Sequence, residues 1–99
     1  MAIFYKLPGR ARKSVEDEDF WRAKTLTAGL DTDDLDQDSF AAYCYEVNAV
    51  DELLAMLDGK PDPDDLAWFG LTDEEWRKEL LFGLAALVRE IEERAEGDV

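Results

Sequence analysis

The chain contains no histidine, one cysteine and three prolines, and its eleven lysines and arginines face twenty-five aspartates and glutamates. Without histidine, the commonest general base and the usual zinc ligand are both missing. One cysteine, Cys44, excludes an intrachain disulfide and fits a reducing compartment. No histidine is there to activate it, and it falls on the apolar face of a predicted helix, so it reads as a small core residue. Six scattered glycines form no phosphate-cradling run. No apolar stretch approaches the roughly 20 residues of a spanning helix, and "MAIFYKLPGRARK" lacks the apolar run of a signal peptide. The expectation is a cytoplasmic protein that is not an enzyme and holds no metal or cofactor.

What remains is acidic and apolar at once. The net charge is −14 over 99 residues, with 46% apolar residues and eleven aromatics, enough for one domain with a core rather than a disordered acidic tail. Such a surface repels nucleic-acid and membrane phosphates and attracts basic proteins. The charge is uneven. Lys6, Arg10, Arg12 and Lys13 make residues 1–13 a basic arm of +4, so residues 14–99 carry −18. Between Asp31 and Asp65 twelve acids meet only Lys60. The simplest outcome is an arm that folds back on its own acidic body.

Periodicity predicts a mainly all-α fold, a small bundle of about four helices with a short extended N-terminal segment. "AIFYKL" is β-prone and ends at Pro8-Gly9, but no second strand is evident, so it is expected to pack on helices as an extended piece. Ser14 is placed as an N-cap, with Glu16 to Asp19 at the positive end of the helix dipole and Gly29 as a stop. Phe40, Tyr43, Cys44, Val47, Val50, Leu54 and Leu57 then recur in steps of three and four as one apolar face. Asn48 with Asp51 marks a place where that helix can kink or restart. Asp62-Pro63-Asp64-Asp65 is a helix start ending at Gly70, and Thr72-Asp73-Glu74-Glu75 matches a capping box with Leu71 and Trp76 as a hydrophobic staple. The last helix presents Trp76, Leu80, Leu84, Leu87, Val88 and Ile91 on one face, with Arg89–Glu93 and Glu90–Arg94 pairs on another.

The stretch "LDTDDLDQDSF" invites a calcium reading and fails it. A loop starting at Asp34 has Asp36 and Asp38 in place, but Ser39 stands where the turn needs glycine and Tyr45 where the clamp needs glutamate. Asp36, Asp38 and Ser39 serve better as caps for the helix that follows. "DDLAWFGLTDEEWRKEL" has helix–turn–helix rhythm, yet its second helix opens on three acids that would meet a duplex with like charge. Only the arm could touch phosphate.

The leading expectation is therefore an acidic interaction module, a nucleic-acid mimic by charge, that blocks a basic surface on a protein or nucleoprotein complex. Phage-encoded inhibitors such as anti-CRISPR proteins, and toxin-immunity proteins, have this overall character. The candidate partner-binding residues are Asp31, Asp33, Asp34, Asp36, Asp38, Asp62, Asp64, Asp65, Trp68 and Phe69, with Lys6, Arg10, Arg12 and Lys13 as arm contacts. Trp68 and Phe69 draw notice because consecutive helix residues cannot both point fully inward, so one is expected at the surface or under a neighbouring chain. The alternative is a structural or chaperone-like assembly subunit, for instance of a virion, that self-associates through its arm.

Overall fold

A computed structural model describes residues 2–5, 13–32, 35–36 and 38–96, and most of these are helical. The elements run β1 (Ala2–Tyr5), β2 (Lys13–Glu16), α1 (Asp17–Leu26), α2 (Phe40–Val47), α3 (Val50–Asp58), α4 (Pro63–Phe69), α5 (Asp73–Arg94) and β3 (Ala95–Glu96). The small helical fold read from periodicity is what is observed, with two local corrections. The first concerns the N-terminus: β1 is the centre of a three-stranded antiparallel sheet in the order β2-β1-β3. Ala2 to Tyr5 pair with Glu16 to Lys13, and Phe4 and Tyr5 pair with Glu96 and Ala95. Backbone pairing in cis replaces packing of a lone extended segment. Ser14 accordingly lies in β2 opposite Phe4 and is not a cap, because the chain stays extended as far as Glu16.

The second is the helix count. The restart that Asn48 allows does occur: the long apolar stripe divides at 48–49 into α2 and α3, which turns an expected four helices into five among the described residues. The restart is capped one residue later than expected: the Glu52 carboxylate accepts the Ala49 backbone N–H at 2.8 Å. The remaining caps follow local rules. Ser39 Oγ accepts the Ala42 N–H at 3.2 Å, and Asp62 Oδ1 accepts that of Asp64 at 2.8 Å ahead of Pro63. At the end of α4, Gly70 is left-handed (φ 67°). It donates to the Ala67 carbonyl while Leu71 donates to that of Leu66, a Schellman closure. Thr72 and Glu75 exchange both capping-box bonds, at 3.0 and 3.1 Å.

The core sits along α5. Trp76, Leu80, Leu84, Leu87, Val88 and Ile91 are buried, as their spacing predicts, against Phe20 and Ala23 of α1, Phe40 and Cys44 of α2, and Val50, Leu53, Leu54 and Leu57 of α3. Each fully buried Leu or Ile contributes about 1.5–3 kcal/mol. Helices α2 and α5 touch closely at Gly83, where a Cβ would come within 2.7 Å of the Ala41 carbonyl oxygen and 3.1 Å of Cys44 Cβ. Cys44 is sealed in that contact, and burial, with Glu79 adding to it, pushes its thiol pKa up to about 12. Cations tie the rim together. Arg22 pairs with Asp58 at 2.6 Å, Lys24 with Glu92 at 3.0 Å and Arg89 with Glu93 at 3.5 Å. The Arg94 side chain lies outside the described residues. Among the described residues no helix is long and apolar enough to cross a membrane.

Candidate functional site

Helix α4 is the one helix from Asp17 to Phe69 that buries no residue. Its sequence explains this: Pro63-Asp64-Asp65 fills the first turn with proline and charge, leaving only Leu66, Trp68 and Phe69 as large apolar groups over two turns. Leu66 is partly buried against the core. Phe69 leans on α2, with ring centroids 4.5 Å from Phe40 and 5.9 Å from Tyr43. Trp68, one position earlier and so about 100° around the helix, points out of the fold and is 84% exposed. It is the most exposed large apolar side chain among the described residues.

Trp68 and Phe69 form one side of a depression of about 460 Å³ between α2 and α4. Tyr43 and Val47, each 51% exposed, form the other. Phe40, stacked on Trp76 with centroids 4.4 Å apart, lies between them and the core, and Met56 and Asn48 complete the lining. Asp65 is the single charged residue in the wall among the described residues. It stands three residues before Trp68, on the same helical face, and among the described residues no ion pair or hydrogen bond engages its carboxylate. The Trp76 Nε1 donor is buried without an acceptor among the described residues.

The expected partner-facing acids separate into two places. Asp62, Asp64 and Asp65 are exposed on the first turn of α4 beside this depression. Asp31 and Asp36 line a different depression, of about 360 Å³, with Ser39, Glu79 and Phe82. Part of this second group has structural work: Asp36 Oδ1 accepts the Asp38 N–H at 2.9 Å, and its carbonyl accepts both the N–H and hydroxyl of Ser39, shaping the turn into α2. Asp38 is exposed. Burial raises the Glu79 carboxyl above the usual carboxylate range; Asp36 and Glu75 push the same way against Lys78. Asp33 and Asp34 lie outside the described residues, as do Lys6, Arg10 and Arg12, and Lys13 is placed only as the first residue of β2. Among the described residues no three carboxylate or cysteine side chains gather as metal ligands do.

Sequence reasoning missed Tyr43 and Val47 as surface groups. Both fall in the apolar stripe that predicts one continuous helix face, but α2 buries Phe40, Ala41, Ala42 and Cys44, with Ala41 and Cys44 against Gly83 of α5, which leaves the Tyr43–Val47 edge outside. The signal was the small pair Ala41-Ala42, which permits that close approach. Compared with known proteins, the chain matches no family model, no curated protein and no solved structure.

Proposed function

We propose that this protein is an acidic interaction module that binds and blocks a basic surface of a larger partner. The observation that carries the reading is the depression between α2 and α4. An exposed tryptophan, with Tyr43, Val47 and Phe69 around it, is edged by Asp65 in a chain of net charge −14. Large aromatic groups at a partly desolvated patch supply affinity, and a like-signed surrounding field supplies encounter rate and rejects wrong partners. The exposed carboxylates of Asp31, Asp36 and Asp38 and of α4 take the place of phosphates facing lysine or arginine, as in an inhibitor that occupies a nucleic-acid-binding groove. A phage-encoded inhibitor of a CRISPR complex, or an immunity protein, would need these properties.

The test is capture from host extract at low salt with elution by a salt gradient. Captured proteins should carry basic surfaces and leave below about 0.5 M salt, where screening acts over about 4 Å. Changing Asp31, Asp33, Asp34, Asp36 and Asp38 together to Asn should shift elution to lower salt. Capture that ignores both salt and these substitutions would overturn the reading.

A further inference from the structure

We infer that the depression between α2 and α4 is a seat for one cationic side chain, arginine above all, presented between apolar residues on a segment of the basic partner. The inference rests on the interaction-module reading and names the chemistry that its aromatic patch selects.

The molecule contains its own control. Trp21 on α1 is the other exposed tryptophan, and it too has a carboxylate three residues earlier, Glu18, as Trp68 has Asp65. Three residues after Trp21 comes Lys24, whose Nζ lies 5.2 Å from the ring centroid. A cation there meets the negative face of the indole while the helix holds it in place. Three residues after Trp68 comes Leu71, which is turned to the core, and among the described residues no cation lies over the Trp68 ring. The second tryptophan thus has the ring face and the carboxylate but not the cation.

The surroundings decide what fills the place. Tyr43, Val47 and Phe69 give the depression apolar and aromatic walls, so a strongly hydrated ammonium gains less there than a planar, weakly hydrated guanidinium that can stack on Trp68 and present N–H donors to Asp65. Apolar neighbours on the same segment would cover Val47 and Phe69. A second copy of this chain is the wrong occupant: each brings a net charge of −14 to the contact.

The probe is a short amphipathic peptide of leucine, alanine and arginine, with versions in which every arginine becomes citrulline or glutamate. It is titrated into the nitrogen-labelled full chain, and the indole NMR signals of Trp21, Trp68 and Trp76 are followed at low and high salt. The arginine peptide should move the Trp68 signal and leave that of Trp76 in place, with citrulline weaker and glutamate silent. Trp68→Ala should weaken binding about tenfold, and Asp65→Asn about threefold to fivefold; Trp68→Phe, which keeps a ring, should recover part of the loss. Salt-sensitive binding that Trp68→Ala leaves unchanged overturns the seat while leaving the broader acidic reading standing. Equal binding of the arginine and citrulline peptides at all salt concentrations overturns both. Sedimentation showing a dimer that buries Trp68 also overturns the seat, with a second copy as its occupant.

Discussion

Trp21 and Trp68 both stand in solvent, 55% and 84% exposed, each on a short helix and each three residues after a carboxylate, yet among the described residues only Trp21 has a cation over its ring. Lys24 serves that ring and the Glu92 carboxylate together, and beside it Arg22 binds Asp58, so α1 carries two cations that the fold already engages. Helix α4 carries none. Its carboxylates meet no cation among the described residues, and its aromatic groups edge an open depression. An exposed tryptophan by itself is therefore no sign of binding; its local partners determine whether the fold has already used it.

Trp76 completes the comparison and gives the largest expected effect. It is stacked on Phe40 beneath the same depression, buried at the start of α5. Trp76→Ala should cost about 3–5 kcal/mol of stability by opening a cavity there. Trp68→Ala, on the preceding helix, should cost no more than about 0.5 kcal/mol. Urea unfolding followed by circular dichroism measures both. Similar losses for the two variants would mean that Trp68 serves the fold, and the contrast between the two helices would collapse.

The next largest effect comes from giving Trp68 what Trp21 already has. Asp65→Lys puts a cation three residues from the ring on the same helical face, as Lys24 is from Trp21. The arginine peptide should then bind more than tenfold more weakly, since the carboxylate is gone and a like charge occupies its place. The stability change should stay within about 1 kcal/mol, the worth of one acid in a first helical turn. The peptide titration and the urea curve read the two effects separately. Unchanged peptide binding would detach the depression from charge recognition altogether.

What the residues alone revealed follows how local each determinant is. Ser39, Asp62 and the Thr72–Glu75 box act within three residues, and the structure uses all of them as their types predict. The buried face of α5 was equally readable, because one long helix against one core leaves a continuous period. Strand β2, "KSVE", has no alternation of its own and exists because β1 lies beside it, and "AE" reads as the end of a helix until it meets the same strand. Such pairing between residues far apart in sequence is invisible to local pattern. The same reason hid half of the candidate site. Trp68 and Phe69 stand out because two consecutive bulky aromatics on a short acidic helix cannot both point fully inward, whereas Tyr43 and Val47 reach the surface because α2 packs through Phe40, Ala41, Ala42 and Cys44 instead, a choice the α5 contact makes.

The smallest effect is the most discriminating, because it separates the cation from the walls. Lys24→Gln, made in the Trp68→Ala background, leaves Trp21 with its ring, its carboxylate at Glu18 and no cation. It also removes one exposed ion pair with Glu92 at 3.0 Å, and the loss of stability should stay below about 1 kcal/mol. The uncovered ring has Phe20 set edge-on at 5.9 Å, but it lacks the bordering groups that Tyr43, Val47 and Phe69 give Trp68. Binding of the arginine peptide should therefore rise by less than about threefold over the Trp68→Ala parent, since a lone exposed cation–π contact is worth about 0.5–1 kcal/mol at most. If uncovering Trp21 instead restored the full affinity of the unmodified chain, an acid and an indole three residues apart would suffice. The depression between α2 and α4 would then be incidental to recognition.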